Sequence, residues 1–164
     1  MPDDLHAIKS SDLYDVDFYV WTEAQSALIL RNRAALETMG IDVDHLAEEV
    51  AELGTSERNR VLGRVRQIIV HLYKLAWSRA AAPRGGWKAE IAAARADIET
   101  VITPTIRRFV ENDLDKLHAR AARVAQLSFE THEPDTSTDT RLQWTLAQIL
   151  GEASDPLDAD ETGC

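Results

Sequence analysis

Between Asp42 and Glu52, groups able to hold a cation or move a proton recur at helical spacing: Asp42, His45, Glu49 and Glu52, three, four and three residues apart. At 100° per residue they form one ridge beside an apolar stripe of Val43, Leu46, Val50 and Leu53, with Glu48 turned further towards solvent. Carboxylates and imidazoles on facing helices are how helical bundles assemble divalent or transition-metal sites. The same carboxylates can hold Mg²⁺ against a phosphate ester. A second imidazole, His71, falls on the flank of the next apolar stripe. Gly54 lies between the two segments and reads as the left-handed residue that ends the first helix. An antiparallel pairing across it brings His71 towards the start of the acidic helix. The candidate cluster from spacing is therefore Asp42, His45, Glu49, Glu52 and His71, with a divalent metal as the cofactor it would take. The competing expectation is structural. Glu49 and Glu52 pair with Arg58, Arg60 or Arg64, and His71 is a hydrogen-bonded core residue, because a semi-buried carboxylate needs compensation.

Known enzyme templates match only in fragments. A di-iron bundle needs Glu-x-x-His on two helices, and none is present: Asp3-x-x-His6, Asp42-x-x-His45 and Asp115-x-x-His118 carry Asp in place of the Glu. All-α nucleotide pyrophosphatases place Glu-x-x-Asp downstream of Glu-x-x-Glu; Glu49-x-x-Glu52 supplies the first element, and the later Glu-x-x-Asp, Glu152-x-x-Asp155, falls in the acidic tail and not on a predicted helix. No Gly-rich phosphate loop or G-x-S-x-G elbow is present, and Cys164, near an acidic end, is a poor nucleophile.

The elements that must position these groups follow from periodicity. Residues 1–13 read as a flexible arm. Tyr14, Phe18, Trp21, Gln25 and Leu28 then hold one helical face until Gly40, and Asp42 caps the acidic helix. A long helix from about Glu57 to Ala81 carries Val61, Val65, Ile68, Ile69 and Leu72 on a wide apolar stripe, with Gly63 as a point of close approach. The Ala-Pro-Arg-Gly-Gly run at 82–86 breaks it. A fourth helix from Trp87 ends at Thr103, and Pro104 opens a fifth that reaches about Thr131. A short sixth helix, Leu142 to Leu150, docks at the end. The aromatics lie on these apolar faces as core contacts, while His6, His118 and His132 read as solvated. No segment alternates with period two. The fold class is all-α: an antiparallel bundle of about five helices plus a short docked C-terminal helix, forming a single domain over 14–151, with 152–164 a disordered acidic tail.

At 164 residues the chain suits one domain, and no apolar run approaches the length that spans a bilayer. The start, MPDDLHAIKS, lacks the apolar core of a secretory signal, and a lone cysteine supplies neither disulfide nor thiolate site, so the expected location is cytoplasmic. A formal charge of −10 argues against general nucleic-acid binding. The charge is uneven: Glu37 to Leu53 holds six acids and no Lys or Arg, whereas Thr55 to Lys88 holds eight bases against Glu57. Adjacent blocks of opposite sign are expected to neutralise each other.

Four blocks, Tyr14-Asp15-x-Asp17-Phe18-x-x-Trp21, Leu46-x-Glu48-Glu49-Val50-x-x-Leu53-Gly54, His71-Leu72-x-Lys74 and Trp87-x-x-x-Ile91-x-x-x-Arg95-x-x-Ile98, resemble in order and spacing the bacterial family catalogued as domain of unknown function 29. The likeness spans roughly 14–150. It departs at Leu75 and Gly86, where the family pattern has Trp and Ser. The resemblance implies an all-helical bacterial protein and no particular activity. It draws attention to Glu48, Glu49, His71, Lys74 and Arg95, the last two as candidate anion-binding groups.

Three functions remain open on these residues. The first is a non-catalytic module that binds a protein partner or a second copy through its helical faces. The second is a metal-dependent hydrolase of a phosphorylated or nucleotide-like small molecule, with the acidic ridge and His71 as ligands and Lys74 or Arg95 holding the anion. The third is a nucleic-acid or toxin-associated regulator using the basic third helix.

Overall fold

A computed structural model describes residues 10–158. The described residues form seven helices and no strand: α1 (Ser10–Val16), α2 (Phe18–Arg31), α3 (Arg33–Thr38), α4 (Val43–Trp77), α5 (Arg84–Glu99), α6 (Pro104–His132) and α7 (Leu146–Leu150). The class is all-α, as periodicity predicts. The first expected helix is divided into three, and the second and third are fused into one. Of the expected N-terminal arm, residues 1–9 lie outside the described residues, and Ser10 already belongs to α1. By its contacts the chain forms two compact units: one up to Arg60 together with Thr103–Arg108, the other Val61–Ile102 with the chain from Phe109 onward.

In the first unit the breaks have local causes. Asp17 is only 3% exposed, and its carboxylate accepts from Val20 N at 3.2 Å as the cap of α2. It also accepts from Thr103 Oγ1 at 3.2 Å and from Thr105 N at 3.3 Å, where α6 begins. One buried carboxylate thus satisfies the orphan donors of two helix N-termini, whose dipoles favour the negative charge. Asn32 closes α2 by donating its side-chain amide to Leu28 O at 2.8 Å, and Gly40 turns the chain towards α4 with a φ of +82°.

Gly54 is not a helix terminus. It lies inside the 35-residue α4, and its φ is not positive. A Cβ there would fall 2.2 Å from Thr22 Oγ1 and 3.4 Å from the Tyr19 Cα. Thr22 is fully buried and donates its hydroxyl to Tyr19 O at 2.8 Å. The glycine is therefore the place where α2 approaches α4 closely, and the absence of a side chain serves packing rather than chain reversal. Gly63, expected to admit a neighbour, faces open space.

In the second unit, Val61, Val65, Ile68, Ile69 and Leu72 of α4 are all buried, as are Ile91, Ala94 and Ile98 of α5, Val110, Leu117, Ala121 and Ala125 of α6, and Ile149 of α7. The pairs Arg64–Asp97, His71–Glu90 and Lys74–Trp87 show numbers rising on α4 as they fall on α5, so these helices run antiparallel. Tyr73 meets His118 and Trp77 meets Phe129, so α6 runs with α4. Arg84 donates to Leu75 O and Ser78 O at 3.0 and 3.1 Å, closing the C-terminal end of α4. Thr145 opens α7 with a capping box to Gln148, and Gly151 closes it with a φ of +77°.

Two alanine substitutions distinguish the glycines. Gly54→Ala should destabilise the protein by about 1–3 kcal/mol, because the added methyl forces α2 away. Gly63→Ala should stabilise it by up to about 1 kcal/mol through helix propensity. Urea unfolding checks both; stabilisation at position 54 would contradict the close approach.

Candidate functional site

The expected ridge is present as a surface, not as a ligand set. Asp42, His45, Glu48, Glu49 and Glu52 are all exposed on the first unit's part of α4. Asp42 caps the helix, accepting from His45 N at 3.3 Å and lying 2.6 Å from His45 Nδ1. Hydrogen bonding to His45 holds the Asp42 carboxyl below its ordinary range, and the same contact raises the His45 imidazole. Asp44 pairs with Arg33, which also reaches Glu37 at 3.2 Å. Glu52 receives only a long contact from Ser56 Oγ at 3.4 Å. Glu48 and Glu49 make no hydrogen bond or ion pair among the described residues. The expected pairing of Glu49 and Glu52 with Arg60 and Arg64 does not form, because Arg60 turns to Glu57 at 3.6 Å and Arg64 to Asp97 at 2.7 Å. Arg58 lies over the Tyr19 ring.

His71 lies 22 residues beyond Glu49 in the sequence of α4 and belongs to the second unit. Its expected approach required a chain reversal at Gly54, and α4 runs straight through that position. Its Nε2 lies 2.7 Å from Glu90 of α5, and its Nδ1 is buried without a partner among the described residues. Among the described residues no group of three or more His, Cys, Asp or Glu gathers to hold a metal.

Both candidate anion-binding residues are engaged within the fold, and Arg95 also lines a cavity of about 300 Å³ with Ile98, Ile102 and Glu152. Lys74 places its ammonium 5.8 Å from the centroid of the Trp87 ring. Arg95 donates to Ile149 O at 2.9 Å and Gln148 O at 3.2 Å, and holds Asp155 through contacts of 2.6 and 3.0 Å. The guanidinium thus closes the C-terminal end of α7 and fastens the segment after it. A Cβ on Gly151 would stand 3.1 Å from Arg95 Nη1, so the glycine also admits this cation. Burial pushes the Asp155 carboxyl up, but the hydrogen bonds from Arg95 and Leu157 N and the arginine charge outweigh it, leaving it below its usual range. Of the expected disordered tail, residues 152–158 are described and anchored at Asp155; residues 159–164 lie outside the described residues.

The buried polar centre is one that sequence reading missed. His118, read as solvated, is 2% exposed. In the neutral ring its Nε2 donates to Trp144 O at 2.9 Å and its bare Nδ1 accepts from the Tyr73 hydroxyl at 3.1 Å, with that oxygen also 2.7 Å from Leu142 O. A groove of about 400 Å³ runs over it, edged by Asp115, Arg123, Gln126 and Thr140. The signal was available: His118 lies between Leu114, Leu117 and Ala121 on the apolar stripe of α6. Both ring nitrogens bind within the fold, so the imidazole fastens the 139–145 loop. His132 is exposed, with Nδ1 2.9 Å from Ser128 O; His6 lies outside the described residues.

The family described as "Domain of unknown function DUF29" matches residues 13–153. The chain belongs to this family. Among curated proteins, none matches it. A solved structure of an alpha-helical protein of unknown function from Rhodospirillum rubrum ATCC 11170 is similar, with a TM-score of 0.68 and 22% identity over 92% of this chain and 96% of that one. At that identity the likeness carries the fold alone. The family blocks now have positions in this DUF29 chain: Asp17 joins two helix starts, Gly54 admits α2, His71 meets Glu90 and Arg95 fastens α7. Each of these residues has a structural task, while Glu48 and Glu49 are left unpaired.

Burial holds the His71 and His118 imidazoles below the ordinary value of 6.5; for His71 the lost hydration outweighs the attraction of Glu90. The unfolded chain therefore takes up protons near pH 6.5 that the folded chain refuses until lower pH. The stability these groups contribute is present above pH 6.5 and lost as pH falls through their folded values. His45 shifts the other way, but it is fully exposed and solvent screens its effect. The urea midpoint should fall between pH 7.5 and 5.5, and His71→Gln should remove part of the fall. A midpoint independent of pH would contradict this.

Proposed function

We propose that this DUF29 protein is a non-catalytic interaction module that binds another protein through the outer face of the first half of α4. One observation carries the reading: Leu46 and Leu53 are 40% and 54% exposed, seven residues and about 20° apart on one helix face. Single exposed leucines are ordinary, but a periodic pair on a helix is how amphipathic helices present a docking edge. The rest of the first unit points the same way. Its buried apolar residues are Leu13, Val43, Ala47 and Ile106, whereas Tyr14, Val16, Leu28, Leu30 and Met39 stand exposed alongside the leucine pair. The hydrolase reading finds no support among the described residues, where no three His, Cys, Asp or Glu gather to hold a metal.

A photo-reactive residue at position 53, introduced into the full chain in its native cells, should give one discrete cross-linked species that disappears when Leu46→Asp is added. The same residue at position 130 serves as a control. Absence of any adduct from positions 46 and 53 would overturn the reading.

A further inference from the structure

We infer that the occupant of the α4 face is a basic amphipathic helix of another protein. This rests on the interaction reading above and adds the chemistry of the partner. Asp42, Leu46, Glu49 and Leu53 follow at intervals of four, three and four, and at 100° per residue they fall within about 60° of one another. The edge therefore alternates acid and leucine along three helical turns. The two leucines stand about 10 Å apart along the axis, the spacing that equivalent anchors of a second helix present when laid alongside. Its apolar residues would cover Leu46 and Leu53, and its cations would flank them.

Charge selects among occupants. Glu48 and Glu49 make no hydrogen bond or ion pair among the described residues, the Glu48 charge acting only at longer range on His45, and Glu52 has only the Ser56 hydroxyl at 3.4 Å. Nearby cations are engaged elsewhere: Arg33 with Asp44 and Glu37, Arg60 with Glu57, Arg58 over Tyr19. Two copies paired antiparallel so that Leu46 of each meets Leu53 of the other would place Glu49 beside Glu49, and like charges so juxtaposed oppose association. A parallel pair meets the same repulsion along the whole edge. Anionic lipid and nucleic acid are repelled by the same carboxylates. A helix bearing Lys or Arg beside its leucines is attracted by them, and the formal charge of −10 steers it inward.

The test uses the full-length protein and a labelled 18-residue Lys/Leu peptide with leucines on one helical face. A peptide of the same composition with its leucines dispersed is the comparison. Fluorescence anisotropy should show saturable one-to-one binding to the first peptide, at least tenfold tighter than to the second. Binding should weaken at least tenfold with Leu46→Ser and Leu53→Ser together, and similarly in 0.5 M NaCl. Glu48→Lys, Glu49→Lys and Glu52→Lys together should reverse the preference towards a Glu/Leu peptide. All of these side chains are exposed, and thermal melts verify that the variants fold. Equal binding of both peptides, or no binding, would overturn the inference. So would a doubled mass by sedimentation that depends on Leu46 and Leu53; the occupant would then be a second copy, and the interaction reading would stand. Blank cross-links at both positions 46 and 53 would instead remove the interaction reading itself.

Discussion

The close approach of Thr22 to Gly54 is the constraint on which the arrangement depends. A glycine within a helix costs about 1 kcal/mol relative to alanine. Here it lets a fully buried threonine of α2 rest against the α4 backbone, where any side chain would collide. The contact fastens α2 to an unbroken α4. An unbroken α4 in turn determines which polar residues can meet. Asp42, Leu46, Glu49 and Leu53 become one exposed edge, and the chain does not reverse at Gly54.

The polar residues then sort by what compensates them. Asp17, buried, is compensated by three donors at two helix starts. Arg95 is compensated by Asp155 and two carbonyls, and His118 by a hydroxyl and a carbonyl. These groups are expensive to leave unsatisfied, and the fold satisfies them. Glu48 and Glu49 cost little where they are, because water solvates them, and so they remain free to meet a cation from outside.

The all-α class and the long apolar stripes were legible because 3.6-residue periodicity is written directly in side-chain type. The caps Asp42 and Pro104 and the turn at Gly40 were legible for the same reason. Gly54 was not, because a glycine that ends a helix and a glycine that admits a neighbour look alike in one dimension, and only the neighbour tells them apart. That single ambiguity divided α4 in two and brought His71 into the wrong company. Glu90 and Asp155, the partners of His71 and Arg95, lie 19 and 60 residues from them, beyond any local pattern. His118 was misread for a different reason: a polar type was given more weight than its position on an apolar face. The four family blocks marked residues that matter, without saying that most of them matter to packing.

The continuity of α4 at Gly54 is open to direct measurement. Spin labels at Glu48→Cys and Asn59→Cys, with Cys164→Ser to remove the native thiol, report the distance between two exposed positions of the first unit 11 residues apart. A continuous helix predicts backbone positions about 16 Å apart, with a narrow distribution. A dominant distance below about 10 Å would mean that the chain reverses at Gly54, as the glycine alone suggests.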